Sequence, residues 1–152
     1  MMADVSLRVT GLRELGAKMR GLSEKVNKSI AASATGAAAK IVKTAAVAKI
    51  VSNPSVRTGS LRDAVIVKKV PRSEAEGLTS AHYVTVRGRG KTAKRKGKVV
   101  KLADAPHASL VEFGTVNMPA EPFLRPALTN NLQRAADAMK DRLAKRIEAA
   151  SK

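Results

Sequence analysis

The sequence contains no cysteine and no tryptophan, and its only aromatic residues are Tyr83, Phe113 and Phe123. Without cysteine the chain forms no disulfide, no cysteine zinc site and no thiol nucleophile. So few rings leave no platform on which nucleic-acid bases would stack. Because the other apolar residues are chiefly Ala and Val, we expect a thin core in which the two phenylalanines matter disproportionately.

Long apolar runs are also lacking. No stretch of about 18 apolar residues occurs, which argues against a membrane-spanning helix. The segment from Met1 to Gly11 lacks the apolar centre of a secretory signal peptide. We therefore expect no membrane partner and no secretion by a standard signal.

The sequence offers no arrangement of residues suited to catalysis or metal binding. His82 and His107 are the only histidines, and no second histidine lies three or four residues from either of them. The 12 acidic residues are scattered singly, which disfavours paired-carboxylate chemistry. Gly90-Lys91-Thr92 is similar to the end of a phosphate-binding loop, but Thr85 stands where that loop requires glycine. We expect no enzymatic activity, no cofactor and no metal.

Acidic residues are scarce beside basic ones. The chain has 29 Lys and Arg against 12 Asp and Glu, which gives a net charge of +17. A surplus of this size attracts polyanions or acidic protein surfaces and repels itself within the folded chain. Charge therefore predicts the kind of partner but no specific function.

Apolar periodicity predicts strands and helices in turn. Val5, Leu7 and Val9 alternate with polar residues, which predicts a strand over residues 4–10. A short helix is expected from Leu12 to Met19, and a long amphipathic helix of roughly 25 residues after Ser23. Further strands are expected near residues 65–70 and 81–86, and a C-terminal helix over residues 124–150.

These elements predict one α+β domain spanning residues 1–152. We expect a small mixed or antiparallel sheet packed with two long helices and short connecting helices. Gly36 lies within the Ala-rich face of the long helix, where it would allow another backbone to approach closely.

Residues 87–101 form a basic segment with three glycines and no acid. Such a composition buries little apolar surface, so we expect a basic loop or hairpin tip. Its cations would contact a polyanion or a protein partner, or else only keep the loop solvated. With no interleaved aromatic residue, any nucleic-acid contact would be nonspecific and limited to the backbone. The eight candidate contact residues are Arg87, Arg89, Lys91, Lys94, Arg95, Lys96, Lys98 and Lys101.

Two motifs lie about fifty residues apart. The first is Arg57-Thr58-Gly59-Ser60-Leu61-Arg62, and the second runs from Glu112-Phe113-Gly114-Thr115 to Pro122-Phe123-Leu124-Arg125-Pro126. With the opening strand and long helix, they resemble the tail-completion or neck proteins of long-tailed phages, of which the lambda tail-completion protein is a distant relative. The basic segment departs from the usual pattern, so the resemblance assigns it no role.

The resemblance implies a non-enzymatic virion structural protein that forms a ring, six copies being expected, at the head-to-tail junction around the DNA channel. Its partners would be other neck and tail proteins and, nonspecifically, genomic DNA. It would be assembled in the bacterial cytoplasm and lie in the neck or tail of the virion. The alternative is a small, basic, nonspecific nucleic-acid-binding protein.

The second motif also carries a packing hypothesis. Glu112 is expected to pair with Arg125, while Phe113 and Phe123 fill one pocket. Gly114 and Gly59 would supply turn geometry that other residues reach with difficulty. On this hypothesis Phe123→Ala costs about 3 to 5 kcal/mol of stability and Glu112→Ala costs less.

Overall fold

A computed structural model describes most of the chain. The described residues are 10–20, 22–52, 59–71, 79–88, 92–95, 98–101 and 104–150. The strand predicted over residues 4–10 lies outside them except for Thr10, and Thr58 of the first motif also lies outside them.

The N-terminal half is built on the long helix that the sequence predicts. Helix α1 spans Leu12–Met19 and helix α2 spans Glu24–Val51. The Ser23 hydroxyl caps α2 by accepting a hydrogen bond from the Val26 N–H at 3.4 Å. Buried positions recur along α2 at steps of three to five residues, as one face of a helix requires. They are Ile30, Ala34, Ala39, Val42, Ala46 and Ile50.

Short helix α3, Ser60–Ala64, leads directly into the main sheet. Strand β1 spans Val65–Lys69 and pairs antiparallel with strand β2, His82–Val86, in a register that places Val65 opposite Val86. Val65 is buried in the core, and α2 packs against both strands. The sheet therefore has an inner face that covers α2.

The basic segment contains a second antiparallel pair. Strand β3, Thr92–Arg95, pairs with strand β4, Lys98–Lys101. In this register Arg95 lies directly opposite Lys98.

Three helices complete the chain. They are α4, Ala108–Phe113, α5, Leu124–Thr129, and α6, Leu132–Ala150. The helix expected over residues 124–150 is thus divided at Asn130 and Asn131. Asparagine bonds readily to nearby backbone, and the Asn131 side chain donates to the Ala127 carbonyl at 3.0 Å.

Helices α2 and α6 pack along one another, and α5 packs against α2. Together with the antiparallel sheet, this confirms the predicted α+β class. Within the described residues, no helix combines the length and apolar composition that a membrane span requires.

Candidate assembly site

Glu112 lies near the end of α4, and its carboxylate points into the body of the protein. The residue is only 8% exposed. Its Oε2 accepts hydrogen bonds from the N–H groups of Phe123 at 2.8 Å and Leu124 at 3.0 Å, and its Oε1 accepts one from Arg125 at 3.1 Å. One side chain therefore binds three consecutive backbone groups at the start of α5.

The sequence around α5 explains this arrangement. A helix leaves its first four N–H groups without partners inside the helix. In α5 those groups belong to Phe123, Leu124, Arg125 and position 126, and the first helical bond runs from Ala127 to the Phe123 carbonyl. Position 126 is proline, which has no N–H. Glu112 thus satisfies every donor that this helix start presents, and its charge suits the positive end of the helix.

This geometry corrects the hypothesis that Glu112 pairs with the Arg125 side chain. The carboxylate bonds to the Arg125 backbone instead, because helix α5 directs its unpaired N–H groups at α4. No ion pair between the two side chains occurs in the described residues.

The shared phenylalanine pocket is also wrong. Phe123 is 2% exposed and belongs to the main core, whereas Phe113 is 70% exposed. Adjacent helix positions point about 100° apart, since a helix has 3.6 residues per turn. With Glu112 turned inward, Phe113 is directed outward.

Gly114 ends α4 and starts a tight return of the chain. Its N–H donates to the Leu110 carbonyl at 2.8 Å, and its backbone has φ 75° and ψ −177°. A Cβ at this position would lie 2.8 Å from the Ala120 nitrogen and 2.9 Å from the Met118 oxygen. Both the backbone conformation and the available space therefore require glycine, as the sequence predicts for this turn.

Gly114→Ala should lower the free energy of unfolding by about 2 to 3 kcal/mol, because this backbone region is nearly exclusive to glycine and the methyl group would strike fixed backbone. The control is Gly16→Ala inside α1, where an added Cβ meets nothing within 4 Å. That change should stabilise the protein by up to about 1 kcal/mol. Urea unfolding of both variants measures the difference, and equal effects at the two glycines would contradict the account of the turn.

The first motif has a local role in the structure. Gly59 precedes α3 with φ 21°, and Leu61 is buried in the core at 4% exposure. Arg62 bonds the neighbouring Asp63 through Nε at 2.8 Å. This hydrogen bond lowers the pKa of the Asp63 carboxyl.

Four large apolar side chains stand out from α4 and the turn after it. Leu110 is 49% exposed, Phe113 70%, Val116 102% and Met118 39%. We call these four residues the apolar ridge. Large apolar side chains exposed over so short a stretch of chain are typical of protein–protein contact surfaces. Sequence reasoning missed the ridge because it assigned Phe113 to the core.

An apolar groove of about 810 Å³ opens beside the ridge. Its walls come from α2, β2, α4, α5 and α6, and Phe113 of the ridge is part of the lining. His82 lies at one edge, where its Nδ1 is 2.9 Å from the Thr35 hydroxyl oxygen. Burial, together with the charge of Lys69, lowers the pKa of His82. The apolar lining includes Ala38, Ala39, Val42, Leu128, Leu132 and Met139.

Gly36 faces His82 rather than another backbone. A Cβ at Gly36 would lie 3.5 Å from His82 Nε2, an ordinary contact distance. The close backbone approach that the sequence suggested at this glycine is therefore not made by the described residues.

Only part of the basic segment lies within the described residues. Arg89, Lys91 and Lys96 lie outside the described residues, while Lys94, Arg95, Lys98 and Lys101 lie on β3 and β4. The Arg87 N–H donates to the Ala64 carbonyl at 2.9 Å, which anchors the start of the segment to the sheet. Among the residues that the structure describes, no three His, Cys, Asp or Glu side chains come together as metal ligands would.

Comparison with known families gives one finding. A family model described as "Bacteriophage HK97-gp10, putative tail-component" matches residues 13–114. The match covers about two thirds of the chain, from α1 to the glycine that ends α4. No curated protein and no solved structure matches.

Proposed function

Because the chain belongs to the HK97 gp10-like family of phage tail components, we propose that it forms a ring at the head-to-tail junction, around the channel through which DNA passes. As a phage tail component it is part of the virion and contacts other phage structural proteins. In the proposed role it joins the head to the tail and catalyses no reaction. Membership of the family is the observation that carries the proposal.

The apolar ridge supports assembly. In a closed ring each copy contacts the next through two different patches, so every copy must present a surface ready for a neighbour. The ridge is such a surface, because Val116 is fully exposed and Phe113 is largely exposed. Six copies are proposed because the phage tails to which the resembled proteins belong have sixfold symmetry.

Replacing Leu110 and Val116 together by Ser should abolish ring assembly and leave the monomer folded, since both side chains are exposed in the single chain. The measurement is sedimentation velocity of the protein with its neighbouring head and tail proteins. The parent should form one large, discrete species under these conditions.

The control is Val51→Ser, at the end of α2, where the apolar side chain is 63% exposed and lies outside the ridge. It should assemble as the parent does. If the parent stays monomeric with its neighbours present, the ring is wrong; if both variants assemble normally, the ridge is not its interface.

The charge of β3 and β4 supports a polyanionic partner in the ring. Arg95 lies opposite Lys98, and like charges directly opposite one another destabilise a strand pair. A surface of negative charge would relieve this repulsion. We place the hairpin towards the DNA channel, since the glycines of the segment allow its tip to reach inward and cations would hold DNA without reading its sequence.

Replacing Lys94, Arg95, Lys96 and Lys98 by Gln should weaken duplex-DNA binding and reduce the joining of heads to tails. Parent binding should fall steeply as salt rises, regardless of base sequence, and each lost phosphate contact should reduce the log–log slope by about one. The control removes four exposed charges elsewhere, by Gln at Lys18, Arg20, Lys40 and Lys49.

Both quadruple variants have the same net charge. A difference in their DNA binding would therefore come from the position of the charges in the hairpin. The hairpin variant should lose binding and the control should retain most of it. Equal losses of DNA binding in the two variants would contradict a specific role for the hairpin. A normal yield of infectious particles from the hairpin variant would show that the segment is only a solvated loop.

A further inference from the structure

Strand β2 has one edge paired with β1 and one edge that faces the apolar groove. The bonds from Val70 N–H to Ala81 O and from Arg87 N–H to Ala64 O fix which residues face β1. In an antiparallel ladder these residues alternate along the strand. The backbone N–H and C=O groups of His82 and Val84 therefore point to the outer edge, where no described residue extends the sheet.

The groove lies beside this outer edge. Residues 80–84 form one wall, and the other walls come from α2, α4, α5 and α6, with small residues such as Ala39 and Ala136 among them. A segment that fits this place needs two properties. It must offer extended backbone to β2, and it must carry apolar side chains at every second position to continue the inner face of the sheet.

We infer that residues 4–10 of the same chain are that segment, added to β2 as a third strand. Val5, Leu7 and Val9 would fill the groove, and Ser6, Arg8 and Thr10 would continue the polar outer face. This assignment gives partners to the outward backbone groups of β2 and covers the apolar groove in a single step.

The start of the described chain places this segment within reach. A Cβ on Gly11 would lie 3.4 Å from Cε of Lys140, and Lys140 follows Met139, which lines the groove. Seven extended residues span about 23 Å at 3.3 Å per residue. The groove-lining part of α6, from Leu132 to Met139, is only about 10 Å long at 1.5 Å per residue.

Residues 4–10 are joined directly to Gly11, close to the groove of their own chain. They should therefore occupy that groove rather than the groove of another copy. A linked segment is present at an effective concentration in the millimolar range, well above a free copy in dilute solution. The third strand would form within a single chain, whether or not the chain assembles into a ring.

Amide hydrogen exchange in the full chain tests the third strand. In the parent, the amides of His82 and Val84 should exchange slowly. Replacing Val5, Leu7 and Val9 by Ser should accelerate both amides at least tenfold. The amides of Tyr83 and Thr85, which face β1, should remain slow and show that the variant is still folded.

The matched control replaces Ser6 and Arg8 on the opposite face by Ala, and it should leave all four amides unchanged. Fast exchange of His82 and Val84 in the parent overturns the inference. So does unchanged exchange of these two amides in the triple variant.

Cross-linking separates the chain's own segment from that of a second copy. The protein has no cysteine, so Leu7→Cys with Ala38→Cys gives one defined thiol pair. A short bismaleimide should link this pair within one chain in at least half of the molecules, while Leu7→Cys alone gives no such product. Two results would overturn the assignment to the chain's own groove. One is a covalent dimer as the main product, and the other is no cross-link either within a chain or between chains.

Discussion

Glu112→Ala should lower the free energy of unfolding by about 3 to 5 kcal/mol, which is as much as Phe123→Ala and more than the ion-pair hypothesis implied. Hydrogen bonds to a charged group contribute about 1.5 to 3 kcal/mol each, and a buried donor left unpaired costs about 1 to 3 kcal/mol. Alanine would leave the Phe123, Leu124 and Arg125 N–H groups without their acceptor. The expected loss is smaller than the sum of these contributions, because water can reach the partly buried N–H groups of Leu124 and Arg125.

Two further variants test whether the three bonds cause the loss. Glu112→Gln keeps the shape of the side chain but replaces one acceptor oxygen by a donor, so its cost should lie between zero and that of alanine. Glu14→Ala removes an exposed carboxylate from α1 and should change stability by less than about 0.5 kcal/mol. Urea unfolding measures the stability of Glu112→Ala, Glu112→Gln and Glu14→Ala. If Glu112→Ala unfolds at the same urea concentration as the parent, the capping role of Glu112 is wrong.

Phe123→Ala should destabilise the protein by about 3 to 5 kcal/mol, because the ring is buried and the cavity left behind would refill only in part. Phe123 packs in the core among residues from α2, α3, β1 and α5, so its loss weakens several elements together. The expected result is a lower thermal midpoint and a lower urea midpoint.

Phe113→Ala is the matched control, since the same atoms are removed from a side chain that is 70% rather than 2% exposed. Its cost should stay below about 0.5 kcal/mol. Similar losses for the two phenylalanines would show that both rings are buried in solution and would contradict the description of the ridge.

Local patterns in the sequence were sufficient to predict much of the fold. The long helix follows from its stripe of Ile, Val and Ala, and its start follows from Ser23, which caps it. The α+β class follows from the spacing of apolar residues, which differs between the predicted strands and the predicted helices. These features depend on neighbouring residues, which a single sequence displays directly.

The partner of Glu112 was not predictable in the same way. Sequence reasoning paired it with Arg125 because opposite charges attract, and it identified the correct region of α5. The actual partners are backbone N–H groups, which every residue except proline carries and which no residue type reveals. Pro126 was the available signal, since a proline in the first turn leaves three donors rather than four.

Exposure at single positions was also beyond the sequence. Phe113 and Phe123 have the same hydrophobicity, yet one lies outside the core because its neighbour Glu112 points inward. The groove forms where α2, β2 and α6 meet, and such long-range packing leaves no pattern in any one segment. The ridge and the groove therefore became visible only in the folded chain.

A cryo-electron microscopy reconstruction of the intact virion would locate the chain directly. The proposal predicts six copies in a ring at the head-to-tail junction, with residues 92–101 towards the DNA channel and the apolar ridge against the next copy. Density for the chain at another position, such as the distal end of the tail, or in the correct place with the ridge facing solvent, would contradict it.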